Sequence, residues 1–183
     1  MGISILIINT ANISIMMNIS IMMAEKGMDS SVMSAIVLSL CTVGGCAAGY
    51  IFGKAYAVLK RFMMPVSLIV CIAGQAILLL GTNAAILSVG SFLNGFGFSC
   101  FHTGIYAKVG EVTDPGDVPF AISIVMTFLN ISGFLATYYL AAIEGVFGEA
   151  ITHSYYVAFA VYAIVTLFYL ICIPRQARSK IAS

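Results

Sequence analysis

Six apolar runs constrain this chain more than any motif does. They cover residues 3–23, 32–52, 64–80, 85–106, 120–142 and 154–173, and no Asp, Glu, Lys or Arg lies inside them. About 20 apolar residues are enough for a helix to cross the hydrocarbon core of a bilayer. Unpaired backbone groups are too costly there, so a crossing segment is a helix or a strand of a closed barrel. No strand-length alternation points to a barrel. The sequence predicts an all-α membrane protein, with six transmembrane helices over 1–174 and a basic tail over 175–183. All four prolines, Pro65, Pro115, Pro119 and Pro174, fall at run ends or in a connection, where a missing N–H is tolerated.

Composition closes off the other classes. Hydrophobic residues make up 61% of the 183 positions and charged residues 8%, against about 25% charged in a soluble domain. Disorder needs low hydrophobicity and high net charge; the net charge here is +1. Without a basic block there is no electrostatic footprint for nucleic acid, so the expected surroundings are the lipid bilayer. Cys41, Cys46, Cys71, Cys100 and Cys172 form no CxxC pair and all fall in apolar runs. They read as small buried hydrophobes, with no metal or cofactor site implied. The first run lacks a basic n-region and a small-residue cleavage site and is too long for a signal-peptide core, so it reads as a retained helix. There is no HExxH, no GxSxG and no aspartate within a run, so the chain does not read as an enzyme.

Basic residues set the orientation. With six crossings, Lys54, Lys60, Arg61, Lys108, Arg175, Arg178 and Lys180 share one side, and Lys26 stands alone on the other. The positive-inside rule then places both termini in the cytoplasm. Tyr50, Tyr106, Tyr155 and Tyr169 fall near run ends, as an interfacial belt or as ordinary tyrosine usage.

Two glycine patterns mark close approach between helices. Gly45, Gly49 and Gly53 form GxxxGxxxG in the second run, and Gly90, Gly97 and Gly104 recur at heptad spacing in the fourth. Small residues let a neighbouring backbone come close; the same smooth surface also suits a sliding interface. On the packing reading, Gly49→Leu prevents a well-folded product.

With charge absent from the runs, chemistry falls to amides, hydroxyls and imidazole, which disfavours a carboxylate proton relay. In the fifth run Ser123, Thr127, Asn130, Phe134, Thr137 and Tyr138 fall within about 100° of arc at 3.6 residues per turn. Such a stripe should avoid lipid, facing either a cavity or a neighbouring helix. The fourth run gives a comparable arc of Ser91, Asn94, Phe98, Phe101, His102 and Ile105, which is either a small-molecule surface or a packed aromatic seam. His102 is either a structural residue or a titrating one. Asn9 and Asn12 share a side of the first helix, while Asn18 is opposite. Asn12, Asn94 and Asn130 each lie near the middle of a run, at the depth where transport sites sit. The expected cavity set is Asn9, Asn12, Asn94, Phe98, Phe101, His102, Thr127, Asn130 and Phe134.

Local sequence carries a family resemblance. Leu38-Ser39-Leu40-Cys41-Thr42-Val43-Gly44-Gly45, Ala48-Gly49-Tyr50-Ile51-Phe52-Gly53-Lys54 and Leu59-Lys60-Arg61 resemble the eighth helix and following cytoplasmic loop of the major facilitator superfamily. There a glycine-basic turn joins two helices, and Gly49, Gly53, Lys54, Lys60 and Arg61 occupy those positions. Asn18-Ile19-Ser20 and Gly27-Met28-Asp29-Ser30-Ser31 resemble the end of the seventh helix and its outer loop. Asn130-Ile131-Ser132-Gly133-Phe134-Leu135 resembles the eleventh. Many members have a proline shortly after that point; Thr137 or a neighbour holds the place here. The resemblance implies the C-terminal half of the fold, helices seven to twelve, built as two inverted three-helix repeats. Tyr50-Ile51-Phe52-Gly53-Lys54-Ala55 against Gly145-Val146-Phe147-Gly148-Glu149-Ala150 fits such a repeat. It further implies a secondary transporter of a small-molecule substrate in the plasma membrane, working by alternating access, with the first, fourth and fifth helices lining its cavity. One bundle supplies one cavity wall. Either Met1 is internal to a longer protein whose N-terminal half is missing, or a half-size protein works with a second copy or a separate half, or the chain is a non-transporting structural or remnant protein.

Overall fold

The computed structural model describes residues 2–28, 31–148 and 151–179; the side chains of 151–152 and 173–179 lie outside that description. It contains helices α1 (Gly2–Glu25), α2 (Ser31–Leu59), α3 (Met63–Leu80), α4 (Ala84–Val112), α5 (Val118–Phe147) and α6 (Ile151–Ser179), with a 3-10 turn at Lys60–Phe62. Five helical stretches are long and apolar enough to cross a membrane, and one of them, Ser31–Leu80, takes in both α2 and α3. Helical bonding continues past the apolar runs, most visibly to Leu59, Val112 and Phe147. Residues 175–179 of the expected tail belong to α6, while Lys180 and the last residues lie outside the described residues.

Cross-helix contacts fix the direction of each helix. Cys41 faces Gly95 and Gly45 faces Ser99, and Tyr56 bonds Glu111. Numbers rise together, so α2 and α4 run parallel. Between α3 and α4 they rise in opposition, with Cys71 against Gly97, Gly74 against Asn94 and Leu78 against Gly90. Helices α2 and α3 are therefore antiparallel, and the chain reverses at the 3-10 turn. Lys60 there has φ 42°, the one positive φ at a non-glycine among the described residues. Helix α1 runs parallel to α5, through Asn9–Ser132 and Ser14–Ala136. It runs antiparallel to α6, through Asn12–Tyr162 and Ile15–Tyr155. Its C-terminal end meets that of α3 through Lys26. The helices alternate in direction, which puts Lys54, Lys60, Arg61 and Lys108 at one end of the bundle and Lys26 at the other.

The pairings α2–α4, α3–α4, α1–α5, α1–α6 and α3–α6 dominate the packing. Exchanging α1 with α4, α2 with α5 and α3 with α6 leaves this set unchanged. The two related sides are held differently. On the α4 side, glycines bring backbones together: a Cβ at Gly44 would fall on the Phe92 carbonyl and one at Gly95 on the Cys41 carbonyl. At Gly74 it would lie 2.5 Å from the Asn94 nitrogen, at Gly97 2.7 Å from the Ser67 carbonyl oxygen, and at Gly90 3.0 Å from the Gly74 carbonyl oxygen. On the α1 side, hydrogen bonds do the joining. Asn9 Nδ2 donates to Ser132 Oγ and, at 3.3 Å, to the Leu129 carbonyl. The Thr10 and Ser14 hydroxyls each bond the carbonyl one turn back and approach those of Ser132 and Ala136 at 3.4 Å. Interhelical hydrogen bonds of this kind contribute about 0.6 kcal/mol each on average.

Two expectations are corrected by this geometry. Gly49 and Gly53 have open space where a Cβ would go and lie inside α2, so neither forms an internal seam nor a loop. Gly45 and the neighbouring Gly44 take that role, because only these positions face α4. Gly104 is buried but meets Met63 and Met64 at an ordinary 3.9 Å. Tyr155, 1% exposed, turns into the bundle rather than toward lipid, and the half-buried Tyr169 packs edge-on against Phe101 at 6.0 Å.

At the opposite end from the basic cluster, α1 closes with a Schellman pair. Gly27 N–H donates to the Ala24 carbonyl and Met28 N–H to that of Met23, both at 2.9 Å, with Gly27 at φ 75°. This cap directs Lys26 to the end of α3, where Nζ donates to the Leu78, Leu79 and Gly81 carbonyls at 2.8–2.9 Å. A cation at a helix C-terminus satisfies carbonyls that the helix leaves unpaired.

Gly95→Leu is expected to abolish a monodisperse product in detergent, since the side chain would replace a carbonyl contact. Gly49→Leu is expected to leave the thermal midpoint of the isolated chain within error. Lys26→Met removes a charged donor from three carbonyls and is expected to destabilise the bundle by on the order of 2 kcal/mol, read by thermal unfolding in detergent.

Candidate functional site

Helix α5 buries little: Val125, Ser132, Ala136 and Ile143 are its buried residues. On a helical projection these sit about 180° from the polar stripe. Ser123, Thr127, Asn130, Phe134, Thr137 and Tyr138 are accordingly all exposed, Phe134 at 67% and Tyr138 at 61%. The polar atoms of Ser123, Thr127 and Asn130 turn back on α5. Ser123 Oγ donates to the Pro119 carbonyl at 2.9 Å, Thr127 Oγ1 to that of Ser123 at 2.9 Å and Asn130 Nδ2 to that of Met126 at 3.0 Å. Among the described residues the stripe makes no hydrogen bond to a neighbouring helix, and apart from Tyr138, which borders a groove against α1 and α6, it faces away from the bundle. Helix α2 behaves alike. Its buried residues are Ser34, Val37, Gly44 and Ala48, and the opposite side carries Ser39, Cys46, Tyr50 and Gly53, all exposed.

Helix α4 contributes an aromatic ladder beside α5. Phe98 and His102 lie 4.8 Å apart with their rings tilted by 36°, and His102 and Tyr106 meet edge-on at 5.9 Å. Tyr106 approaches Met126 Sδ at 3.4 Å, which joins the ladder to α5. His102 Nε2 is buried without a hydrogen-bond partner. Phe98 also walls an open groove of about 370 Å³ between α2 and α4, together with Cys41, Thr42, Cys46 and Ser99. A second groove of about 360 Å³ lies between α1, α5 and α6, lined by Leu6, Thr10, Leu135, Tyr138 and Val161.

The expected cavity residues divide into three places. Phe98 and His102 share the α4 ladder, and Thr127, Asn130 and Phe134 share the outward face of α5. Asn9, Asn12, Asn94 and Phe101 are interior: Asn9 ties α1 to α5, Asn12 Nδ2 donates to Tyr162 Oη at 2.9 Å, and Asn94 and Phe101 are fully buried. The three mid-depth asparagines do not converge, because depth along a helix says nothing about which side of it a residue occupies. Sequence reasoning missed Gln75 and Tyr162, which are buried polar groups in the interior; a glutamine within an otherwise apolar run was the available signal. Cys46 is exposed where burial was expected, and all five cysteines are free thiols. At the basic end, Tyr56 donates to Glu111 Oε1 and Lys108 pairs with Glu111 Oε2 at 2.8 Å. Arg61 lies over the Phe62 ring at 5.3 Å. Glu149 and Ala150, part of the compared hexapeptides, lie outside the described residues.

The family comparison adds an independent observation to this geometry. The sequence model of the Major Facilitator Superfamily matches residues 1–181. The chain belongs to the Major Facilitator Superfamily. No curated protein matches it. Members of the superfamily are transporters of small solutes, and the family places this chain among multi-pass membrane proteins of that kind.

In a Cys46→Ser background, Asn130→Cys is expected to react with a membrane-impermeant maleimide in native membranes, and Asn94→Cys is not. Equal protection of both would place the α5 stripe out of contact with water.

Proposed function

We propose that this chain is one six-helix half of a secondary transporter for a small solute, and that a second six-helix bundle packs over the outward sides of α2 and α5. The observation that carries this reading is the position of the polar stripe of α5, opposite its buried side. Polar groups on a spanning helix face protein or a water-filled cavity rather than lipid, and this bundle offers them neither. Gly49, Gly53 and Tyr50 on α2 add small and amphipathic residues to the same kind of surface. Small residues are what close helix approach in a membrane requires.

The α4 ladder of Phe98, His102 and Tyr106 and the α5 residues Thr127, Asn130 and Phe134 form one wall of the solute cavity in this reading. The pairing set, unchanged on exchanging α1–α3 with α4–α6, supports two inverted three-helix repeats with the chain crossing the membrane six times. The basic cluster at the end of α2 and α4, with α6 running toward that end, supports cytoplasmic termini; the plasma membrane is part of the reading through the family resemblance. The resemblance to helices seven to twelve supports the C-terminal half. Transport then proceeds by rocking of the two bundles about a central site, with aromatic stacking and neutral hydrogen bonds from this half holding the solute.

Tyr50→Cys and Tyr138→Cys are expected to crosslink to a second bundle in native membranes. An immunoblot against residues 174–183 reads its source. A band near twice 19.4 kDa identifies an attached N-terminal half, and a band at the chain's own mass that crosslinks to double size identifies a second copy. Solute flux by a monodisperse monomer of this chain in liposomes would overturn the two-bundle reading.

A further inference from the structure

The interior of the bundle holds a layer of polar side chains that no charge organises. Asn12 of α1, Gln75 of α3, Ser91 and Asn94 of α4 and Tyr162 of α6 are each at most 5% exposed. Contacts put them at one level. Asn12 Nδ2 donates to Tyr162 Oη at 2.9 Å, and Gln75 lies beside the same hydroxyl, outside hydrogen-bonding geometry. Gly74 packs on the Asn94 backbone, and Cys71 Sγ reaches the Asn94 carbonyl at 3.7 Å, so Gln75 and Asn94 spring from the same stretch of the α3–α4 contact. Ser91 lies one turn from Asn94.

The Asn12–Tyr162 pair is bonded, and the rest of the layer is not. Both side-chain amide atoms of Gln75, both of Asn94 and the Ser91 hydroxyl are buried with no hydrogen-bond partner; the Cys41 thiol lies beside Ser91, outside hydrogen-bonding geometry. Each such group carries an uncompensated desolvation cost, and buried polar atoms in folded proteins nearly always have a partner. A partner must therefore be supplied.

The chemistry of the orphaned atoms selects that partner. Gln75 Nε2 and Asn94 Nδ2 are donors, Gln75 Oε1 and Asn94 Oδ1 are acceptors, and Ser91 Oγ is both. A cation would engage the acceptors and leave the donors orphaned, and an anion the reverse. No ionised side chain lies in the layer to offset either, and an uncompensated buried ion is far costlier than an unmade hydrogen bond. Water donates and accepts, and internal waters characteristically make 2–4 bonds to groups of this kind.

We propose that Gln75, Ser91 and Asn94, with the Asn12–Tyr162 pair, form an internal hydration site that holds ordered water between α1, α3, α4 and α6. The site is built from residues of this bundle alone, so it does not require a second bundle or a solute.

Radiolytic hydroxyl labelling of the full chain in H₂¹⁸O, read by mass spectrometry, tests this. Radicals formed on bound water modify adjacent side chains even where bulk solvent has no access. Tyr162 is the reporter, and Phe101, equally buried, is the control. After correction for intrinsic reactivity, Tyr162 is expected to label several-fold faster than Phe101. The double variant Gln75→Leu/Asn94→Leu is expected to bring Tyr162 down to the Phe101 rate, with the Phe101 rate itself unchanged. Equal labelling of Tyr162 and Phe101 in the unmodified chain overturns the proposal, whether or not the variant folds. Replacing sodium by choline is expected to leave both rates and the thermal midpoint unchanged. A sodium-dependent midpoint that the double variant loses would overturn water in favour of a bound cation.

Discussion

Helix α4 meets its neighbours backbone to backbone. Gly44 and Gly95 close the contact with α2, and Gly74, Gly90 and Gly97 close the contact with α3. Lipid gives apolar helices no hydrophobic reason to associate, so dispersion at close range and interhelical hydrogen bonds must supply it. The glycines provide the range. Once α4 is wedged between a parallel α2 and an antiparallel α3, its remaining sides are allotted. Asn94, Phe101 and Ile105 go into the interior, and Phe98, His102 and Tyr106 go to the front beside α5.

The other side of the bundle is joined by different means. Asn9, Thr10 and Ser14 hydrogen-bond α1 to Ser132 and Ala136 of α5, and Asn12 and Ile15 reach Tyr162 and Tyr155 of α6. Steric interlock and hydrogen bonding have produced one pairing pattern on two sides. They differ in how they yield. A glycine contact fails when a methyl group is added, whereas a set of weak hydrogen bonds loses one member at a time.

A membrane helix with its polar stripe opposite its buried side is an unfinished arrangement. In α5 the hydroxyls and the Asn130 amide bond their own helix, which lowers the cost of facing outward but leaves lone pairs and an amide oxygen to be met. The α4 ladder beside it joins rings with an imidazole. Together these give a surface able to stack and hydrogen-bond a neutral solute, and a neighbouring bundle would complete it.

Hydropathy alone made six helices legible, because the absence of water leaves an apolar run of this length no other way to pair its backbone. Charge placement made the two ends of the bundle legible, and the α5 stripe could be drawn from periodicity. Which side of each helix finds a neighbour could not be drawn. GxxxGxxxG names a smooth ridge, yet Gly45 is packed while Gly49 and Gly53 are open, since the ridge turns away from α4 along its length. Asn12, Asn94 and Asn130 share a depth but not a cavity, because two point inward and one outward. Apolar composition is the same on the lipid side and the packed side of a membrane helix. The sequence by itself determined that these helices exist and how the chain ends are charged; tertiary contact alone decided their facing, which is set by where backbones can approach.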